Sequence, residues 1–243
     1  MKNKKVFFVP RSELVSDINM PPQPSKKYIP DWYKRMSGAS KAKNGFLMPG
    51  PKNCMPFLDS FTNGYILELA TDVAIQYHGK DPITGRDIIT YTYAGGGRSL
   101  VEIPLITRQE ETNVPPALPK FNGYYDTEFQ WYTNWDAKTP SGYSTMYHHP
   151  SNRFDLPFHT FTGIIDTDTW NGDGPIPFVL KEGFQGVIPA GTPIIQFTFI
   201  KRDNWDSKAL EFDQKIRRRE KHMVKRHMLN GYKKEHWKKK EYN

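Results

Sequence analysis

The residues with the most chemical promise lie between Thr139 and Arg202. Pro150-Ser151-Asn152-Arg153 follows the candidate strand GYSTMYHH (142–149) and reads as a polar turn. Such a turn can present a hydroxyl, an amide, a guanidinium and backbone N–H groups to a phosphate. Asp166 closes the apolar run Gly163-Ile164-Ile165, ahead of a Gly-rich turn. A carboxylate placed there can hold and deprotonate a water molecule. Beyond a tight turn at Gly191, Gln196 sits on a strand from which its amide can pin a backbone or a ligand edge.

Other reactive residue types carry less. His148, His149 and His159 form neither an H-x-D nor an H-x-x-x-H set, and neighbours on a strand point to opposite faces, so no metal site is expected. His222 and His227 stand five apart and do not share a helix face. The run Ala94-Gly95-Gly96-Gly97-Arg98-Ser99 lacks P-loop spacing and reads better as a hairpin loop than as a phosphate cradle. Cys54, the one cysteine, excludes a disulfide framework and shows no sign of activation. Trp131, Tyr132 and Trp135 suit core or inter-subunit packing better than base stacking.

The elements that must position these residues read as β. Aromatic residues make up 14% of the 243, with 20 Pro and 18 Gly, a composition that favours short strands joined by turns. Candidate strands are 64–70, 72–78, 87–93, 99–104, 128–137, 142–149, 161–168, 176–182 and 193–202, with a hairpin turn at Lys80–Gly85. The Pro-rich stretch 113–121 reads as a loop between two halves. The chain therefore divides into an irregular N-terminal arm (1–55), a β domain (56–202) and a basic amphipathic C-terminal helix (203–243). Within the arm, 6–9 is a short strand and Asp31–Met36 a helical turn. The C-terminal helix rests on Ala209, Phe212, Ile216, Met223 and Met228 across 205–229. The expected fold class is mainly β, a β-clip or compact sandwich with those two extensions.

The charge is unevenly distributed. Residues 1–200 carry 19 basic and 19 acidic side chains, whereas 201–243 carry 15 basic against 7 acidic, which accounts for the whole net charge of +8. Arg217, Arg218, Arg219, Lys238, Lys239 and Lys240 are the residues expected to meet a nucleic acid or an acidic protein partner. Deleting 230–243 is expected to leave the β domain folded. No apolar stretch approaches the roughly 18–20 residues that span a bilayer, and MKNKKVFFVPRSE does not read as a secretory signal. A cytoplasmic or virion location is expected, without membrane contact.

The order of the pieces resembles the dUTPase and dCTP deaminase superfamily, whose members share a β-clip fold. Its third motif, G-V-I-D-x-x-Y-x-G, is similar to Gly163–Asp166 followed by Trp170 and Gly172. The second, P-R-S-[SG] after P-x-G-Y, is similar to Pro150–Arg153 after Pro140–Tyr143. The fourth, G-D-x-I-A-Q, is similar to Gly191–Gln196, and the first is echoed in Gly64–Ala70. This sequence departs from the pattern at Ile66, at Ser151 and Asn152, at Thr192 and in lacking a Gly-rich C-terminal arm. The deaminase glutamate has no counterpart at Pro177–Leu180.

The resemblance implies a homo-oligomer, a trimer by preference, with sites at subunit boundaries. It implies a nucleoside triphosphate diphosphohydrolase acting on dUTP or a relative, with Mg²⁺ carried in on the nucleotide. Asp166 would orient the water; Ser151, Asn152 and Arg153 would meet phosphate; Gln196 and the backbone around Gly163 and Ile165 would hold the base edge, with Trp170 also a substrate-binding residue. The same block, with CMPFLDSFTNGY (54–65), also resembles an uncharacterised family of tailed-phage and bacterial proteins. That supports the alternative of a non-catalytic, oligomeric phage structural or assembly protein.

Overall fold

A computed structural model describes residues 4–93, 104–112, 118–170, 172, 174–219 and 231–243. In chain order its strands begin with β1 (Phe7–Pro10), β2 (Gln23–Pro24), β3 (Ala39–Lys41), β4 (Leu47–Pro49), β5 (Tyr65–Glu68), β6 (Val73–Lys80), β7 (Asp87–Tyr93) and β8 (Ile106–Arg108). They continue with β9 (Tyr124–Trp131), β10 (Trp135–Lys138), β11 (Tyr143–His148), β12 (Phe158–Thr160), β13 (Gly163–Ile165), β14 (Ile176–Lys181), β15 (Gly186–Ile188) and β16 (Pro193–Lys201). Helices are short: α1 (Glu13–Ile18), α2 (Asp31–Arg35), α3 (Met55–Thr62), a turn over 214–219 and another at Gly231–Glu235. The protein is mainly β, and its registered strand pairs are antiparallel.

By its internal contacts the chain forms two units. The first comprises residues up to Gln23 with Gly64–Arg202; the second comprises Pro24–Asn63 with Asp203–Asn243. In the first, one sheet runs β13-β11-β16-β5-β2 and another β12-β14-β9-β8, beside the three-stranded β15-β6-β7 and the pair β1-β10. Its core is aromatic. Trp131 lies parallel to Phe178 at 3.7 Å between ring centroids, edge-on to Phe158, with its indole N–H donated to Thr160 Oγ1 at 3.1 Å. Offset and edge-on rings of this kind add to the burial of their large apolar area.

Local chemistry explains several boundaries. Asp81 Oδ1 accepts the Ile83 and Thr84 N–H groups at 2.9 and 2.7 Å, and Gly85 closes the β6–β7 hairpin with φ +71°. Gly64 has φ +72°, and a Cβ there would stand 1.8 Å from the Phe197 carbonyl oxygen, so only glycine lets β5 enter beside β16. The strand expected over 128–137 is in fact two. Asn134 adopts φ +55° and its amide donates to Pro104 O at 3.1 Å; β9 stays with β14 and β8 while β10 turns away to pair with β1.

The second unit holds α2, α3 and the β3-β4 pair, with Trp32, Tyr33, Phe57 and Phe61 packed on one another. The helix expected over 205–229 begins later: 203–213 has no regular structure, and helix covers 214–219. Asp213 caps it, its carboxylate accepting the Lys215 N–H at 2.7 Å, which fixes the start where sequence periodicity alone had run it through. The rest of that span, with Met223, Met228, His222 and His227, lies outside the described residues. So do the glycine run Ala94–Gly97 with Arg98 and Ser99, most of the strand expected at 99–104, and residues 113–117 of the expected Pro-rich loop.

Candidate functional site

Strand order builds a cleft at one end of β11. Antiparallel pairing sets His148 opposite Gln196 of β16, and the chain then turns through Pro150–Arg153. The turn is closed by the Arg153 N–H on Pro150 O at 3.2 Å, with Asn152 at φ +57°, a conformation asparagine tolerates better than most residues. Gln196, buried, accepts the Ser151 N–H at 2.8 Å and so ties the turn to the sheet. From the other sheet, β12 brings His159, and the β14–β9 register sets Lys181 beside Tyr124. The turn, His148, His159, Lys181 and Tyr124 line a cleft of about 280 Å³.

The imidazoles divide by role. His149 donates its Nε2–H to Arg153 O at 3.1 Å and accepts the Thr160 N–H on Nδ1 at 3.3 Å, which defines a neutral tautomer. Burial drives its pKa down to about 4. His148 donates Nδ1–H to the His149 carbonyl at 2.8 Å and meets Thr198 Oγ1 through Nε2 at 3.1 Å; burial lowers its pKa too. Both therefore hold backbone and sheet together. His159 is exposed and stacks on His149 at 4.8 Å between ring centroids. Its pKa is lowered by burial and by the Lys181 charge, so at neutral pH it is an uncharged ring facing the cleft.

Charge in the cleft is positive. Arg153 is neutralised by Asp155 through paired bonds of 2.9 and 2.8 Å. Lys181 donates to Phe154 O and has no carboxylate partner among the described residues. None of the described lining residues is a carboxylate. The arrangement suits a flat ring between Tyr124, Phe154 and His159, with an anion at Lys181 and the turn.

Asp166 belongs to a different neighbourhood, at the opposite end of β11. It accepts the Ser144 hydroxyl at 2.6 Å and pairs with Arg202 at 3.3 Å. Arg202 also grips Asp168 through both guanidinium nitrogens, one at 2.8 Å, while the Gly142 N–H reaches Asp168 at 2.7 Å. These bonds pull the Asp168 pKa down to about 2. The corner is a carboxylate–guanidinium clasp joining the ends of β11, β13 and β16.

Within one chain, then, Ser151, Asn152, Arg153 and Gln196 come together, and Gly163 lies beside them, opposite Tyr147. Ile165 lies opposite Thr145, and Asp166 and the exposed Trp170 follow at the far corner, about 10–13 Å along the strand from the cleft. Tyr124 and Lys181 carry no local signal in the sequence, because sheet order alone brings them in. Asp168 and Arg202 could have been noticed as an acid and a base each ending a predicted strand.

No family model matches the chain, and no curated protein matches it. Among solved structures, the dUTPase from phage phi11 of S. aureus matches with 14% identity over 45% of this chain and 97% of that one, at a TM-score of 0.27. An aspartate-to-asparagine mutant of that dUTPase, described as revealing the coordination of a structural Mg(II) ion, matches with 14% identity over 45% and 98%, at 0.26. Likeness at this level assigns this chain no activity.

Proposed function

We propose that this chain is a homo-oligomeric β protein serving as a structural or assembly component, with the segment 203–216 as its docking arm. One observation carries this reading. Trp205, Leu210, Phe212 and Ile216 are 87%, 81%, 77% and 56% exposed on one short segment. Large apolar side chains so arranged mark a surface that another molecule covers. Four carboxylates, Asp203, Asp206, Glu211 and Asp213, accompany them against two lysines, Lys208 and Lys215, so the arm fits a basic apolar site on a second copy. Light scattering on full-length protein should give an oligomer, a trimer by preference, and Trp205→Asp with Phe212→Asp should reduce it to a monomer. A wild-type monomer at micromolar concentration overturns the reading.

The cleft favours a second reading, in which the oligomer binds a nucleotide. Lys181 and the Pro150–Arg153 turn would meet phosphate, with Mg²⁺ arriving on the triphosphate. Hydrolysis then requires Asp166 of a neighbouring copy to reach the cleft and orient water, since one chain keeps them apart. Thermal-shift measurement across a nucleotide panel tests binding, which should vanish in Lys181→Ala. Pyrophosphate release, compared between wild type and Asp166→Asn, tests the chemistry. Absence of turnover, or turnover indifferent to that substitution, leaves the structural role as the sole reading.

A further inference from the structure

The second unit carries an apolar surface that the described residues leave uncovered. β3 and β4 form a two-stranded hairpin, registered Ala39 to Pro49 and Lys41 to Leu47. Its turn is closed by the Gly45 N–H on Ala42 O at 2.9 Å, with Gly45 at φ +83°. Phe46, Leu47 and Met48 follow that turn, each at least half exposed. A two-stranded hairpin is marginal by itself in water, and this one turns its large apolar side chains to solvent. At its base it runs into a groove of about 560 Å³, lined by Pro49, Gly50, Pro51, Asn53, Cys54 and Phe57. Asn53 donates its amide to Gly38 O at 2.6 Å, and the Gly50 N–H reaches the same carbonyl at 2.9 Å, so hairpin and groove form one surface. Phe57 lies edge-on to Tyr33 and Phe61, which gives the groove a firm floor.

Charge of one sign surrounds this surface. Residues 32–58 contain five basic side chains and no acidic one. Lys41 stands opposite Leu47 across the hairpin, Lys43 lies in its turn, and Lys52 sits in the Pro51–Asn53 helical turn whose ends line the groove. Lys41 and Lys43 are exposed. The segment 203–216 is the complement, with four acids against two bases and with Trp205, Leu210, Phe212 and Ile216 exposed. Both surfaces are exposed in the same chain, so neither is seated on the other within it.

We infer that the β3–β4 hairpin and the groove at its base seat the 203–216 arm of a second copy of this chain. The inference rests on the reading of that segment as a docking arm, and it supplies the surface that receives it. An aromatic anchor in an apolar pocket concentrates binding energy, and opposite charges around the pocket fix the partner and its register. A nucleic acid would meet the lysines but leave Phe46, Leu47 and Met48 in water, whereas the arm brings apolar side chains and carboxylates together. Because hairpin and arm are different surfaces, each copy gives one and receives the other. Such a head-to-tail contact can repeat around a ring, as a trimer requires.

The test is light scattering on full-length chains, with circular dichroism to establish that each variant is folded. Phe46→Ser with Met48→Ser removes the seat and should give a monomer where the wild type is an oligomer. Trp205→Asp with Phe212→Asp removes the arm and should do the same. Mixed together, these two variants retain one intact arm and one intact seat, and should form a heterodimer that grows no further. Lys41→Glu with Lys43→Glu should raise the dissociation constant about tenfold or more, and adding Asp206→Lys with Glu211→Lys to the same chain should recover most of that loss. Oligomers lost in the arm variant but kept in the hairpin variant overturn the seat alone and leave the docking arm standing. So does a mixture that stays monomeric. A wild-type monomer overturns the arm and the seat together.

Discussion

The two units secure their functional parts in different ways. In the first, the cleft is set by register. His148 faces Gln196 across β11 and β16, Lys181 faces Tyr124 across β14 and β9, and the turn between them is tied by Gln196 to the Ser151 N–H. Many backbone bonds and a stacked aromatic core share the load. In the second, the C-terminal segment 231–243 is clasped to α3 chiefly through Asp59, which receives both Trp237 and Lys240, with Tyr242 on Asn63 beside it. A site built on register should fail only when its core fails, while a clasp centred on one carboxylate should loosen through one substitution and leave the β unit untouched.

The sharpest way to break that contrast is to attack the core. Trp131→Ala removes a fully buried ring stacked on Phe178 and should cost about 3–5 kcal/mol, read as a lower urea midpoint for the first unit. The Asp59 clasp has no part in that loss, and an unchanged midpoint would refute the placement of the core.

Acid should loosen the cleft next. The folded state keeps His149 neutral, with a pKa of about 4, while the unfolded chain titrates near the ordinary 6.5. Between those values the unfolded state binds more protons. Stability contributed by this site is therefore full above about pH 6.5 and declines as pH falls toward about 4, by about 3 kcal/mol at most. Denaturant titrations from pH 7.5 to 4.5 should show this slope in wild type and a shallower one in His149→Phe.

A smaller and more local effect is expected at the clasp. Asp59→Asn should weaken it by about 1–2 kcal/mol, seen as faster hydrogen exchange and proteolysis within 231–243 with the urea midpoint of the first unit unchanged. Loss of the first unit's stability in this variant would erase the distinction between the two units. The smallest effect belongs to Lys34 and Asp31, an exposed pair at 3.0 Å. Asp31→Ala should change stability by less than about 0.5 kcal/mol, which checks that burial of the partner, and not the count of ion pairs, gives Asp59 its importance.

Much of the β unit was legible before its structure. Alternation marked β6 and β7, and Asp81 with Gly85 marked their hairpin, since period and turn chemistry are written within a few residues. Runs rich in β-branched and aromatic residues located β11, β14 and β16 to within a residue or two at most ends. The three-residue strands β8, β12 and β15 are too short for a pattern to emerge. α3 was hidden by its aromatic composition and by Pro56 at its start. The split between β9 and β10 turned on a left-handed Asn134, which no periodicity announces.

The sequence by itself determined the class of the fold, the polar turn at Pro150–Arg153 and the sorting of charge toward the C-terminal segment, because each is a property of neighbouring residues. Tertiary structure alone decided which distant side chains share a site. It set Lys181 and Tyr124 beside the turn, sent Asp166 to a clasp with Arg202 at the far corner, and docked Trp237 on Asp59, 178 positions away. Those outcomes depend on strand order and register, where a shift of one residue turns every side chain to the opposite face, and no local pattern encodes that order.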